Sequence, residues 1–344
     1  MKSMRIGTAL AGLACAVSLS GSAMAAGAAC DRACLTGVAE KYLAALAAHD
    51  PSKAPMAKGT QYTENAVNLP MPDGLWRTIT SVGPYRLFVV DEREGSIGFF
   101  VKALENGAPA LVSTRLHVKD GKITEIESLV SRQSDTPGGT PSNPRSDQLG
   151  DAPRAQFLQE IPAAQRLPRD KLANIANSYF TGLENNFGDE VPPFADDCYR
   201  LENGTATTGR PVAAGATPGP LNFGCREAFS LGYYREDTRL RSRRIIAIDE
   251  LHGLVMAGVA FDHDAALRSY TLKDGRPITV RNTAPWTWMI HEIFQITPEG
   301  KISQVEAILL SVPYGMRSGW PAPRQTFASP QAIKDGYVEY PPGH

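Results

Sequence analysis

The chain repeats itself, and no other feature constrains its fold as strongly. Arg86-Leu-Phe-Val-Val-Asp-Glu-Arg-Glu-Gly95 and Arg244-Ile-Ile-Ala-Ile-Asp-Glu-Leu-His-Gly253 share Arg, Asp, Glu and Gly in register, and the apolar positions between them stay apolar. Further along, Asp120-Gly-Lys-Ile-Thr-Glu-Ile-Glu127 matches Glu299-Gly-Lys-Ile-Ser-Gln-Val-Glu306. Each copy opens with the same helical signature, Tyr42-Leu43-x-x-Leu46 in the first and Tyr179-Phe180-x-x-Leu183 in the second. Three matches in one order define two copies, at residues 30–132 and 168–325. Between them lies a segment (133–167) whose Ser134 to Pro153 stretch is dense in Pro, Gly, Ser and Asp. Such a composition buries no core and reads as a linker or a strapped-down surface loop. Residues 326–344 form a tail. The second copy is the longer, with one insertion before its matching Arg and another around Asp264 to Pro285.

Within each copy a helix comes first and strands follow. Val38 to Ala48 and Leu172 to Leu183 carry apolar residues at helical spacing. In the first copy, strands are expected at Arg86–Val90, Ser96–Leu104, Leu111–Val118 and Ile123–Val130, with turns at Glu-Arg-Glu-Gly95, Asn106-Gly107 and Asp120-Gly121. The second repeats them at Arg244–Ile248, Leu254–Asp262, Thr287–Ile296 and Ile302–Leu310. Helices packed on one face of a curved antiparallel sheet, twice over, make an α+β protein.

The N-terminus reads as an export signal covering residues 1 to about 25. Lys2 and Arg5 supply the positive region, Ile6 to Leu19 an apolar run, and Ala23-Met24-Ala25 the cleavage site. The run falls short of the roughly 20 residues that span a bilayer, and no later stretch is long and apolar enough to cross one. A periplasmic or secreted location follows. Losing Lys2 and Arg5 takes the net charge of −1 to about −3, which argues against nucleic-acid binding. Without Cys15 the cysteines are Cys30, Cys34, Cys198 and Cys225. An even number in an oxidising compartment reads as two disulfides. Cys30–Cys34 and Cys198–Cys225 are the favoured pairing of three, while the spacing and the lack of nearby histidines disfavour a metal site.

A helix, a polar stretch ending in Gly74-Leu75-Trp76-Arg77, and long hairpins closing on Asp-Gly-Lys-Ile resemble the nuclear transport factor 2-like superfamily. That superfamily includes ketosteroid isomerases, limonene-epoxide hydrolases and SnoaL-like cyclases. The resemblance implies two tandem cone-shaped domains, each with an apolar pocket on the concave face of its sheet. It also implies enzymes without a cofactor, in which acids, histidines or tyrosines in an apolar cavity have shifted pKa values and move protons on a small molecule.

Candidate catalytic residues lie in the second copy. Asp262-His263-Asp264 ends an otherwise apolar strand and reads either as a general base at a pocket mouth or as a polar turn. Alternation places Val259, Phe261 and His263 on one face and Ala260 and Asp262 on the other, so at most one of Asp262 and His263 points inward. In Trp286 to Ile296, Trp286, Trp288 and Glu292 share a face, and Met289 and His291 the opposite one. Glu292 is then either a carboxylic acid under an indole wall or the partner of an arginine from Arg239 to Arg244, a segment that alternates like a solvated strand face. Candidate substrate-binding residues are Tyr62, Trp76 and Arg77 in the region that caps a cone, Arg115 and His117 on one strand face, and Tyr234, Trp288 and Tyr314. Arg77 and Arg115 either hold an anionic or carbonyl-bearing ligand or pair at the surface. Ser311 to Trp320 either folds over the second pocket as a lid or packs against the first copy. Asn203-Gly204-Thr205 has the form of a glycosylation sequon and reads as a turn. The absence of G-x-S-x-G, H-E-x-x-H, P-loop and dinucleotide motifs removes most of the weight from those chemistries.

The expected activity is an exported, cofactor-independent lyase or isomerase, working by elimination, hydration or isomerisation in the second copy's pocket. The alternatives are a non-catalytic small-ligand-binding protein, and an assembly role in which side chains fill the pockets. Nothing in the sequence sets the oligomeric state, and self-association stays open.

Overall fold

A computed structural model describes Met1 and residues 30–132, 144–212, 214–215 and 219–320; residues 2–29, where the export signal is expected, and the C-terminal tail lie outside the described residues. Helix α1 (Arg32–Ala47) starts where Asp31 accepts a hydrogen bond from the Cys34 amide at 2.9 Å. It lays Leu35, Val38, Tyr42, Leu43 and Leu46 onto the first sheet. The strands follow as β1 (Met56–Glu64), β2 (Val67–Asn68), a short helix α2 (Leu75–Thr78), β3 (Ile79–Val82), β4 (Leu87–Asp91), β5 (Ser96–Glu105), β6 (Ala108–Lys119) and β7 (Lys122–Arg132). The sheet runs β2-β1-β7-β6-β5, with β3 and β4 both paired to β5. A single-turn helix α3 (Ala155–Leu158) lies between the copies.

The second copy repeats the plan. Helix α4 (Arg169–Glu184) is followed by β8 (Phe194–Glu202), β9 (Thr205–Ala206) and α5 (Cys225–Ser230). Then come β10 (Arg239–Asp249), β11 (Leu254–His263), the small hairpin β12 (Ser269–Thr271) and β13 (Pro277–Thr279), β14 (Trp286–Ile296) and β15 (Ile302–Pro313). The sheet order is β10-β11-β14-β15-β8-β9, and the β12–β13 hairpin occupies the second insertion. The hairpin turns form where Asn-Gly and Asp-Gly predict them. Asn106, Gly107, Asp120 and Gly121 all take positive φ, which a tight two-residue turn requires.

The sheets are mixed rather than purely antiparallel. β1 runs parallel to β7, and β8 runs parallel to β15. These two early strands were not expected from the sequence, because Met56–Glu64 and Phe194–Glu202 are polar and weakly alternating. Each is held instead by a strand that arrives much later in the chain. Both expected disulfides are present, Cys30–Cys34 and Cys198–Cys225.

The two sheets pack face to face around one apolar layer drawn from both copies. It holds Leu87, Val89, Phe100 and Leu111 from the first, Ile246, Met256, Ile293 and Ile308 from the second, and Leu149 and Phe157 from between them. Equivalent residues meet each other across it, which is the mark of a self-complementary interface with approximate two-fold symmetry. Ser113 Oγ lies 2.8 Å from His291 Nδ1, and these two residues hold matching places in β6 and β14. A Cβ on Gly98 would run into the sulfur of Met256, its counterpart in β11.

The repeated Asp-Glu turn acquires its purpose here. Asp91 accepts two bonds from Arg169 of the second copy, at 2.8 and 2.5 Å, and one from the Ile248 amide at 2.9 Å. Asp249 reciprocates with Arg32 of the first copy, at 2.9 and 2.6 Å, and with the Val90 amide at 3.4 Å. Burial opposes ionisation of Asp249, but hydrogen bonds from His252 and Arg32 outweigh it and hold the carboxyl below its ordinary range.

Two stability tests follow. Asp91→Ala strands Arg169 and a buried amide, and should cost about 3 kcal/mol; urea unfolding should show it against exposed Asp147→Ala as control. Replacing Cys198 and Cys225 together by Ala releases the loop they close and should cost about 3 kcal/mol, read as a urea midpoint below that of the oxidised wild type.

Candidate functional site

A cavity of about 780 Å³ opens in the second copy, between α4, the sheet face away from the first copy, and the two insertions. Alternation along β11 and β14 decides what enters it. Phe261, His263, Trp286, Trp288, Ile290 and Glu292 line it, together with Tyr179 and Leu183 from α4. Their in-between neighbours turn to the other side of the sheet.

Glu292 sits on the floor, buried, with its Oε2 unpartnered among the described residues. Burial drives its pKa upward, the charge of Arg200 opposes this, and Glu202 and Asp237 reinforce it. The outcome is a carboxyl pushed up to about 8 that also shares a hydrogen bond with Tyr179. It is therefore mainly a neutral acid at pH 7, able to donate a proton to an oxygen in the cavity.

His263 lies in the same cavity. Its Nε2 is 2.8 Å from Asp237 Oδ1, while its Nδ1 is buried without a hydrogen-bond partner among the described residues. A carboxylate on Nε2 favours the tautomer that leaves a lone pair on Nδ1. Trp286 stacks flat on the imidazole, with centroids 4.2 Å apart and planes at 8°, and Trp288 meets it edgewise at 4.6 Å. Beside them Arg200 is buried and anchored to Glu202 at 2.5 Å, to the Tyr234 hydroxyl at 2.5 Å and to Thr207 at 3.1 Å. Burial pushes the Tyr234 hydroxyl up to about 12 despite Arg200. The mouth is of different character: Arg145, Gln148, Arg210, Arg281 and Asn282 line it, from the segment between the copies and from the two insertions.

Of the candidate catalytic residues, His263 and Glu292 thus reach the cavity, and Asp262 and His291 do not. Asp262 faces the other way and is bound by Arg239, Arg241 and Thr287. His291 is held in the layer between the sheets by Ser113 and by Glu127, 3.4 Å away. Burial lowers its pKa despite that carboxylate. The alternating arginines are not a solvated face: Arg239 and Arg241 bind Asp262, Arg243 binds Glu184, and buried Arg244 binds Glu127. None of them pairs with Glu292; the arginine near it is Arg200.

Of the candidate substrate-binding residues, Tyr234 and Trp288 line the cavity. The first-copy candidates are engaged elsewhere. Tyr62 belongs to β1 rather than to an irregular cap, and donates to Glu64 at 2.7 Å. Trp76 is fully buried against Tyr42. Arg77 binds Asp73, Arg115 binds Glu125, and His117 Nδ1 meets Thr124, so no pair of them forms a ligand clamp. Tyr314 is exposed. The Ser311–Trp320 segment packs on the first copy and forms no lid: Trp320 Nε1 donates to Thr63 at 2.7 Å, and Arg115 lies over its ring. Asn203 is buried at a turn and exchanges hydrogen bonds with the Leu309 backbone, so it offers no glycan acceptor. Among the described residues, no three of His, Cys, Asp and Glu converge as metal ligands.

Sequence reasoning passed over Arg200, Asp237, Glu236 and Tyr233, all of which line the cavity. Only the repeat carried a usable signal. The strand registers place Glu292 where the first copy has Thr114, Trp288 where it has Ala110, and Trp286 where it has Ala108. Polar and aromatic gains at matched positions mark the copy that differs.

The Glu292 carboxyl also makes stability depend on pH. A raised folded pKa means that the native state holds a proton the unfolded chain releases, so stability falls as pH rises from about 4.5 to about 8. Glu292→Gln should therefore match the wild type near pH 5 and exceed it at pH 8.5 by on the order of 3 kcal/mol. Urea unfolding at the two pH values checks this, and a constant difference would contradict the assignment.

The family described as a domain of unknown function (DUF8021) matches residues 28–130 and 165–309, both copies together. No curated protein matches the chain.

Proposed function

We propose that this chain, which belongs to the DUF8021 family, is a cofactor-independent enzyme moving protons on a small organic molecule in the second copy's cavity. The observation that carries the reading is Glu292, a buried carboxyl with an unpartnered oxygen in an aromatic cavity that also holds His263. Groups of opposite proton demand in one enclosed space supply an acid and a base together. In this reading His263 Nδ1 takes a proton from carbon while Asp237 steadies the imidazolium. Glu292 gives its proton to the departing or developing oxygen, and Tyr179 hydrogen-bonds the carboxylate left behind. Loss of both C–H and C–O bonds is an elimination with release of water, and its reverse is a hydration. Return of the proton to a neighbouring carbon is an isomerisation.

The resemblance to nuclear transport factor 2-like proteins supports the same reading, and with it a cone-shaped copy that closes around its ligand. The leader-like N-terminus and the two disulfides support work in an oxidising compartment outside the cytoplasm.

The test is to incubate the protein with candidate small hydroxy- and carbonyl-bearing molecules and to follow products by mass spectrometry. Once a turned-over compound is found, Glu292→Gln and His263→Asn should each lower kcat about 100-fold or more with an unchanged circular dichroism spectrum. Full activity in both variants would sink the proposal. Tight binding without turnover of any compound would replace it with a ligand-binding role.

A further inference from the structure

We infer that the molecule taken into this cavity is an organic anion, with its acidic group at the mouth and its apolar reactive part on the aromatic floor. The inference rests on the cavity being the functional site, and it adds the class of ligand.

The charges of the lining divide by depth. On and near the floor most ionised groups have an internal answer. Arg200 is bound by Glu202, and Asp237 by His263. Glu292 is held neutral by its burial. Burial and the neighbouring Asp237 also raise the Glu236 pKa, against the pull of His263. The mouth is answered less fully. Arg281 is exposed and has no hydrogen-bond or ion-pair partner among the described residues. Arg210 directs its Nε to the Ala206 carbonyl, and no carboxylate binds it among the described residues. Only Arg145 has an acidic neighbour, the exposed Asp147.

Arg210 and Arg281 come from the two insertions that the first copy lacks. The segments that make the second cavity different therefore also carry its uncompensated cations. Amide and carbonyl groups of Gln148 and Asn282 stand beside them in the lining. Guanidinium groups with free N–H edges match a carboxylate geometrically and pull it in from solution. The aromatic walls alone would suit a cation as well. The balance of unanswered charge at the entrance decides for an anion.

The test uses three isosteric probes on the full chain at low ionic strength: 2-naphthoate, 2-naphthamide and 2-naphthylmethylammonium, titrated by calorimetry. The carboxylate should bind about tenfold more tightly than the amide, and more tightly than the ammonium. An Arg210→Gln/Arg281→Gln double variant should keep its affinity for the amide and lose the preference for the carboxylate. Raised salt should erode the preference in the wild type alone. Equal or tighter binding of the amide or the ammonium would overturn the inference, as would a preference that survives in the double variant. If that happened while Glu292→Gln still abolished turnover, the anion assignment would fail and the proton-transfer reading would stand. Failure of all three probes to bind would remove the cavity as a ligand site, and both readings with it.

Discussion

Asp91 and Asp249 each leave their charge to be satisfied by the other copy. A carboxylate with almost no exposed surface is costly unless it is bonded on all sides, and here the bonds come from an arginine and a backbone amide across the interface. Arg32 and Arg169 begin the first helix of their respective copies, so the same pairs also fix where those helices sit. Helix α4 bears Tyr179, and Tyr179 touches Glu292. The position of the candidate acid therefore traces back, through one helix, to an ion pair made with the first copy.

The two copies share a plan and have divided its uses. In the first, Trp76, Tyr42 and Phe99 pack the interior beneath the helix, and Thr114 stands in the place of Glu292. In the second, the matching strands carry tryptophans and a glutamate, and the insertions hold space open above them. Alanines in β6 stand at the positions matched to tryptophans in β14, so side chains on matched strands and the added segments both set the copies apart. An open interior with a buried carboxyl is less stable than a filled one, because the carboxyl loses its water without gaining a full set of partners.

Much of the fold was legible because its signals are local. Asn-Gly and Asp-Gly turns, period-two strands and the repeated Asp-Glu-x-x-Gly segment need only a few residues to declare themselves. Strands β1 and β8 were not legible: their sequences are polar, and their parallel partners lie at the far end of each copy. At the site, alternation sorted Glu292 and the tryptophans from His291, and His263 from Asp262. It could not say which face would be covered by the other copy and which would remain a cavity. Arg200 and Asp237 stayed hidden for a related reason. The first lies on the unexpected strand β8, and the second precedes β10 in irregular chain, so neither shows a pattern until the fold brings it to Glu292 or His263.

The self-complementary layer between the sheets is the kind of surface by which two separate subunits join, yet here both halves belong to one polypeptide. Association of separate subunits weakens with dilution, whereas a tethered pair sees a local concentration on the order of millimolar whatever the protein's abundance. Tethering also allows one half to specialise, because every molecule necessarily contains one of each. A symmetric dimer must place the same residues in both pockets. This chain can fill the space under one helix with aromatic packing and keep its large open cavity in the other half.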